Sequence, residues 1–186
     1  MTAKEKIREI LALIEELNPD SELLTKDPDI QAKIFSVTNH VMFELARLKK
    51  IPAYVEIPVE DGELLTFGKI GAAAGGTVYQ LGCVRGVTYD SKAAGTVLKI
   101  REGGVAEIDL YLYPERITAE NWGDYEFTLT EDALEVLPFG VAADLLKSDD
   151  AAGNGKVYAD RYAQMLQMLD PRYGMPSISV EGGVDI

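Results

Sequence analysis

His40 is the only histidine of the chain, and Glu44 follows it four residues later on a predicted helix. A histidine that acts as a general base needs a carboxylate to orient it and a nucleophile within reach. No serine or cysteine motif accompanies this pair. The pattern therefore favours a histidine at a helix surface or at the boundary of a core, and we expect no catalysis here.

Cys83 is the only cysteine, and Arg85 lies two positions after it. A nearby guanidinium can activate a thiol, but a single cysteine in a strand-rich segment is more often a small buried apolar group. We therefore expect Cys83 to lie in the core. One thiol cannot form an internal disulfide, which fits a reducing compartment.

The patterns that could bind a metal ion or a phosphate group are incomplete. One histidine and one cysteine cannot supply the usual zinc ligands, and the spacing of the carboxylates matches no calcium loop. Gly71, Gly75 and Gly76 are not followed by Gly-Lys-Ser/Thr or by a predicted helix, as a nucleotide-binding fingerprint requires. We predict a flexible loop over Gly68–Gly76, and no catalytic, cofactor-binding or metal-binding residues.

The chain has a net charge of −13, and the negative charge is concentrated in one stretch. Nine acidic residues against Arg116 leave this stretch with a charge of −8, which opposes direct binding of nucleic acid. It is either a solvated surface that keeps the protein soluble, or one past which nucleic acid slides without binding. The acids are Glu107, Asp109, Glu115, Glu120, Asp124, Glu126, Glu131, Asp132 and Glu135.

Two amphipathic helices are predicted near the amino terminus. The first should end at Asn18-Pro19, because a residue before proline disfavours helical angles. Asp27 is a predicted N-cap with Pro28 in the first helical position, and the second helix should reach Lys49-Lys50. The stripe of the first helix comprises Ile7, Ile10, Leu11, Ile14 and Leu17.

The middle of the chain predicts short strands. Ala53–Val59 alternates with a period of two, and a turn at residues 60–62 leads to Glu63–Phe67. Gly103-Gly104 predicts a hairpin turn. Further strands are predicted at Thr77–Leu81, Thr96–Arg101, Val105–Tyr113 and Tyr125–Leu129.

Helical patterns return after residue 127. Thr128 or Thr130 is the predicted N-cap of a helix that Pro138 should kink or restart. A polar linker is predicted at Asp149–Gly155. The last helix carries an apolar stripe that ends before Asp170-Pro171, and the residues beyond it should be disordered or dock as an extended arm. The stripe comprises Tyr158, Tyr162, Met165 and Leu169.

These elements predict an α+β protein. A helical bundle is expected from both chain ends, residues 1–52 and 128–170, with a small antiparallel β domain inserted as residues 53–127 and an extended C-terminal arm over 171–186. No apolar run approaches the roughly 18 residues that span a bilayer, and the first residues are unlike a signal peptide. We therefore expect a soluble protein with no membrane partner.

Several segments resemble head–tail adaptor (connector, head-completion) proteins of tailed bacteriophages and prophages. The likeness lies in Asp109–Thr118, Leu134–Asp150 and Tyr158–Leu169: a strand ending in tyrosines before a proline, a helix of Leu-Pro type with small residues, an acidic turn, and a helix with Tyr-x-x-x-Leu. The Asp29–Leu48 helix looks like the early long helix of such proteins. The resemblance spans about two-thirds of the chain.

The resemblance implies a structural virion protein without enzymatic activity. It implies a ring of identical subunits, expected to be a dodecamer, that joins the portal protein to a tail or stopper protein and lines the channel through which DNA passes without sequence-specific binding. The protein would reside at the head–tail interface of the virion, and in the host cytoplasm before assembly. The acids expected to face the channel are Glu107, Asp109, Glu120, Asp124 and Glu126.

The C-terminal segment would be the arm that reaches into the portal. Apolar residues spaced evenly through a polar, glycine-containing tail favour burial by a partner, since strand addition satisfies the backbone and fills side-chain pockets. Two alternatives remain: another tail-completion or baseplate component, or an uncharacterised enzyme that uses carboxylates and tyrosines. The expected anchors of the arm are Ile178, Val180, Val184 and Ile186.

Overall fold

The computed structural model describes residues 1–148 and 153–169, which form an α+β fold with two small antiparallel sheets. Within these residues, no helix is long and apolar enough to cross a membrane. The helices are α1 (Ala3–Leu13), α2 (Pro28–Leu48), α3 (Phe67–Ala74), α4 (Glu131–Leu145) and α5 (Gly153–Leu169), and the strands are β1 (Ile51–Val59), β2 (Leu64–Thr66), β3 (Thr77–Arg85), β4 (Thr88–Lys92), β5 (Val97–Glu102) and β6 (Gly104–Tyr113).

The first two helices begin at side-chain caps. The Thr2 hydroxyl accepts a hydrogen bond from the backbone N–H of Glu5, whose carboxylate accepts one from the N–H of Thr2. The Asp27 carboxylate accepts from the N–H groups of Asp29 and Ile30, with Pro28 in the first helical position as predicted. α1 ends at Leu13, before the predicted stop at Asn18-Pro19.

α4 is continuous through Pro138, so the predicted kink or restart does not divide it. Its N-cap residue is Thr130. The predicted linker at Asp149–Gly155 is wrong at its end, because α5 already begins at Gly153; residues 149–152 lie outside the described part. α5 is described as far as Leu169, the last residue of its predicted apolar stripe.

The helices α1, α2, α4 and α5 bury one apolar cluster. Three residues of the connection between β6 and α4 belong to the same cluster, namely Ile117, Tyr125 and Leu129. No strand forms over Tyr125–Leu129, and the prediction there is wrong; Glu126 makes an isolated bridge with Thr2. Burial of Tyr125 and Leu129 against helices accounts for their alternating apolar pattern.

The strands form two three-stranded sheets, in the orders β1-β6-β3 and β2-β5-β4. Their inner faces and α3 share a second apolar cluster, to which Ile108 and Leu110 contribute from one sheet, Leu98 and Ile100 from the other, and Ile70 from α3. The outer faces of the two sheets therefore lie on opposite sides of this cluster. β4 was not predicted from the sequence.

The glycine-rich segment is a helix rather than the predicted flexible loop. Thr66 is the N-cap of α3, where its hydroxyl accepts a hydrogen bond from the N–H of Lys69, and Gly75 is the C-cap, with a left-handed φ of +70°. Alanine has the highest helix propensity and glycine is favoured at such a C-cap, so the composition suits a short capped helix.

Gly103-Gly104 does not form the predicted hairpin turn, because β5 and β6 belong to different sheets. The backbone N–H of Gly103 donates to the Asp61 carboxylate at 2.6 Å. A side chain at Gly103 would lie 2.7 Å from the carbonyl oxygen of Val59. Glycine is needed at this position because the backbone passes from one sheet to the other so close to the end of β1 that no Cβ atom fits.

Candidate functional site

The outer face of the β1-β6-β3 sheet carries most of its charge on two paired strands. Tyr54 lies opposite Asp109, and Glu56 lies opposite Glu107. Side chains alternate along a strand, so these four project away from the buried face that contains Val55 and Ile108. With Arg85 of β3, the three carboxylates Glu56, Glu107 and Asp109 form what we call the acidic face.

Arg85 organises the acidic face without neutralising it. Its Nη1 donates to Oδ2 of Asp109 at 2.8 Å, and its Nε lies 3.6 Å from Oε2 of Glu107. The hydrogen bond to Asp109 raises the pKa of the Arg85 guanidinium. Three carboxylates against one guanidinium leave a formal charge of −2.

Tyr54 adds an exposed ring beside these carboxylates. Its hydroxyl donates to Oε1 of Glu56 at 2.8 Å, and this hydrogen bond raises the pKa of Tyr54 to about 12. The side chain is half exposed, as is that of Val105 at the end of β6. The acidic face therefore combines charge with exposed apolar surface, a composition suited to binding.

A shallow depression of about 640 Å³ lies on this face, lined in part by Tyr54, Gly82, Cys83, Asp109 and Tyr111. Cys83 is exposed, so the prediction of a core cysteine is wrong. The register of β3 against β6 shifts between Leu81 and Val84, so the regular alternation of buried and exposed side chains is interrupted at Cys83.

The outer face of the β2-β5-β4 sheet carries the opposite charge. Lys99 of β5 lies opposite both Asp90 of β4 and the half-exposed Leu64 of β2. Lys92 lies two residues after Asp90 on β4, and Arg101 lies two residues after Lys99 on β5. We call Lys92, Lys99, Arg101 and Asp90 the basic face. Three cations against one carboxylate leave a formal charge of +2.

Arg101 is anchored in the basic face by two hydrogen bonds to Asp90. Its Nε donates to Oδ2 at 2.9 Å and its Nη2 donates to Oδ1 at 2.6 Å. The hydrogen bond from Arg101 lowers the pKa of the Asp90 carboxyl, and Lys92 and Lys99 lower it further through their charges. Among the described residues, the ammonium groups of Lys92 and Lys99 make no side-chain hydrogen bond or ion pair.

The other three acids expected at a channel lie in the connection between β6 and α4. Asp124 and Glu126 line an open depression of about 410 Å³ together with Glu115. Glu120 lies in the same connection, where a hydrogen bond with Thr118 lowers its pKa. The five acids thus divide into two groups, since Glu107 and Asp109 lie on the sheet beside Arg85.

Tyr125 anchors this acidic connection to the helical core. Its hydroxyl donates to the carbonyl oxygen of Glu115 at 2.8 Å, and burial raises its pKa to about 12. The ring also makes an edge-on contact with Phe127 at 5.4 Å between centroids. The carboxylates of Asp124 and Glu126 are therefore presented to solvent from a backbone that the core holds in place.

Of the residues weighed for catalysis or metal binding, Cys83 and Arg85 are in contact on the acidic face. His40 is exposed on α2, as expected of a helix-surface histidine. No group of three or more His, Cys, Asp or Glu residues within 1–148 and 153–169 could hold a metal ion. The expected arm anchors Ile178, Val180, Val184 and Ile186 lie outside the described residues.

The basic face is the feature that sequence reasoning missed. A signal was present in Val97-Leu-Lys-Ile-Arg101, where apolar and cationic residues alternate. Without β4 and the pairing of Asp90 with Lys99, this alternation indicates a half-exposed strand but no charged surface. Neither a protein-family model nor a curated protein sequence matches the chain.

Proposed function

We propose that this chain is a structural virion protein, the head–tail adaptor subunit of a tailed bacteriophage or prophage. Identical subunits would form a ring, a dodecamer by resemblance, that joins the portal to a tail or stopper protein around the DNA exit channel. The observation that carries the proposal is that the molecule has two separate apolar cores and presents charged, open surfaces to solvent, namely the acidic face, the basic face and the acidic connection between β6 and α4.

The two cores support an organisation with an inserted domain. α1 and α2 precede the strands, α4 and α5 follow them, and all four helices contribute to one cluster. The strands β1, β2, β3, β5 and β6 contribute to the other, together with α3. We infer a helical body built from both chain ends with a β domain inserted into it. The connection between β6 and α4, which contains Ile117 and Tyr125, belongs to the helical body and not to the β domain.

The surfaces of the β domain suit binding better than catalysis. The depression beside Tyr54 and Asp109 is open, and Arg85, the cation beside it, is bonded to carboxylates that already belong to the sheet. A catalytic site would need a nucleophile or base oriented by a third group. A large partner that covers charge and exposed apolar side chains fits this face without any such group.

Glu120, Asp124 and Glu126 are the acids we propose for the channel wall. They lie in one connection, on the solvent side of a backbone anchored by Tyr125. Carboxylates repel the phosphates of passing DNA, so the wall would confine the duplex without holding it. Glu107 and Asp109 have a cation beside them and suit a protein contact better.

The test is binding to the portal protein of the same phage or prophage. Full-length protein should be captured by immobilised portal, whereas protein lacking Pro176–Ile186 should fold normally and lose capture at least tenfold. Equal capture of the two would count decisively against the arm and against this function.

A matched pair of double variants separates the apolar anchors of the arm from its charge. Ile178→Asp with Val180→Asp should abolish capture, because both would place a carboxylate in an apolar pocket. Ser177→Asp with Ser179→Asp adds the same charge at the residue preceding each of these two anchors and should retain most of the capture. Ring-shaped particles seen by electron microscopy on mixing with portal would distinguish an adaptor from a tail-completion or baseplate component.

A further inference from the structure

The two outer faces of the β-strand region differ in the sign of their charge, although the chain as a whole is strongly acidic. The acidic face has a charge of −2 and the basic face +2, and they lie on opposite sides of one apolar cluster. We propose that the acidic face of one copy of this chain binds the basic face of the next copy. This inference rests on the proposed function, because it names the contact that would build the ring.

Each face carries exposed apolar surface beside its charges, which the contact would bury. Tyr54 and Val105 are 51% and 49% exposed on the acidic face, and Leu64 is 51% exposed on the basic face beside Lys99. Large exposed side chains of this kind mark contact sites when they cluster with unpaired charge. A second copy supplies both the opposite charge and an apolar counterpart.

The signs of the charges decide the arrangement. A two-fold symmetric contact would place each face against its own kind, and like charges across an interface are destabilising. A contact between unlike faces leaves one free acidic and one free basic face at the ends of every open oligomer. Such a head-to-tail contact either closes into a ring or continues as a filament.

Strand β1 disfavours the competing mode, in which two sheets join edge to edge. Pro52 and Pro58 lack the N–H groups that edge pairing needs, and within a sheet proline is confined to positions whose N–H would point away from the paired strand. The outer edge of β1 therefore offers few donors to a second copy.

The expected contact is small. A nine-residue strand and three strands about 4.8 Å apart make a face of about 30 by 14 Å, below the roughly 800 Å² per partner of a stable complex. Association through it should therefore be weak and salt-sensitive. At about 0.1 M salt the Debye length is about 10 Å, so repulsion between distant acids is screened while charges in contact still attract.

A charge-swap experiment on the full chain tests the contact. Variant one reverses the basic face (Lys99→Glu, Arg101→Glu), and variant two reverses the acidic face (Glu56→Lys, Glu107→Lys). Sedimentation is measured at about 100 µM protein and about 0.1 M salt, the ionic strength at which the Debye length is about 10 Å. Wild type should associate, and the association of each variant alone should be at least tenfold weaker. An equimolar mixture should recover wild-type association, because every contact again joins unlike faces.

A matched control separates the face from overall charge. Arg8→Glu with Lys33→Glu changes the net charge as much as variant one, at exposed positions of α1 and α2. This control should associate like wild type. Wild type that remains monomeric, a control that dissociates like variant one, or a mixture that fails to recover would each overturn the contact.

Cross-linking supplies a second measurement that does not depend on charge reversal. Cys83 lies on the acidic face and is the only cysteine, so Leu64→Cys places a second thiol on the basic face. A short bis-maleimide should then produce a ladder of dimers, trimers and larger species. Wild type should stop at dimers, and so should Val157→Cys on α5; a Leu64→Cys protein that also stops there would contradict head-to-tail contact.

The two proposals fail separately. The sedimentation mixture contains no portal, so it reports on the contact between copies even if portal capture fails. Conversely, portal capture that depends on Ile178 and Val180 would stand if the charge swap had no effect on association. The proposed function would be removed by portal that fails to capture the full chain, or that captures the chain lacking Pro176–Ile186 equally well.

Discussion

Both polar atoms of the Asn39 side chain bond to the backbone of Ile117, 78 residues further along the chain. The Asn39 amide donates to the Ile117 carbonyl and its oxygen accepts from the Ile117 N–H, each at 2.8 Å and both buried. Through these two bonds α2 fixes the start of the acidic connection between β6 and α4, pairing with its backbone as a neighbouring strand would. The proposed channel residues depend on this attachment for their position.

Asn39→Ala should lower the free energy of unfolding by about 2–4 kcal/mol, because it leaves a buried N–H and a buried carbonyl without partners. Denaturation in urea, followed by circular dichroism, measures the change. Ser36→Ala on the same helix is the control, since Ser36 is exposed, and it should stay within about 0.5 kcal/mol of wild type. Equal stabilities of the two variants would contradict the role given to Asn39.

Gly140 lies where three helices meet. A Cβ atom there would lie 2.7 Å from Cε2 of Tyr162 on α5 and 2.8 Å from Cγ1 of Val41 on α2. The Tyr162 hydroxyl also donates to the Glu44 carboxylate of α2 at 2.8 Å, so the ring has little freedom to move aside. The close approach of the helices depends on the missing side chain.

Gly140→Ala should therefore destabilise the fold by about 1–3 kcal/mol through overpacking. Gly123→Ala is the matched control, because a Cβ at Gly123 meets nothing within 4 Å and its φ is not left-handed. The thermal midpoint of the Gly140 variant should fall by several degrees while that of the control is nearly unchanged. A Gly140→Ala protein as stable as wild type would show that the helices can separate freely.

Local signals were enough to predict much of the helical part. Asp27 and Pro28 identify the start of α2 because a cap and the residue after it suffice to begin a helix. The apolar stripe of the last predicted helix likewise lies on α5. These predictions needed no knowledge of what each helix packs against.

The β region was predicted less well because its arrangement depends on distant residues. Gly103 resembles a hairpin turn locally, and only the approach of Val59 shows that the chain crosses between sheets there. Cys83 is exposed because of a register shift that no alternation within β3 reveals. The basic face requires the pairing of Asp90 with Lys99, so it too lies beyond local reading.

Two glycines of α3 should respond in opposite directions to alanine. Gly68 lies within the helix with ample space around it, so Gly68→Ala should stabilise by about 0.5–1 kcal/mol. Gly75→Ala should destabilise by about 1 kcal/mol, since its φ of +70° is unfavourable for alanine. Urea denaturation of both variants checks this. A flexible loop would give two small changes of the same sign.

The ion pair between Asp132 and Lys49 connects the first turn of α4 to the end of α2, with Oδ2 and Nζ 2.8 Å apart. The hydrogen bond from Lys49 is the largest cause that lowers the pKa of Asp132 from its ordinary 3.8. A carboxyl whose pKa is lower in the folded protein stabilises the fold above its unfolded pKa. That contribution is lost as the pH falls from 3.8 through the lowered value.

Asp132→Asn should therefore reduce the free energy of unfolding at pH 7 by at most about 1 kcal/mol, because both side chains are partly exposed and solvent screens the pair. Urea denaturation at a series of pH values should show the difference shrinking below pH 3.8 and vanishing once the wild-type carboxyl is protonated. Glu135→Gln on the same helix is the control, because this carboxyl is exposed and has no cation partner in the part of the chain that the structure describes; its stability should match wild type across the series. A deficit of the Asp132 variant that persists at low pH would mean that it reflects lost helix capping at α4 rather than the charge pair with α2.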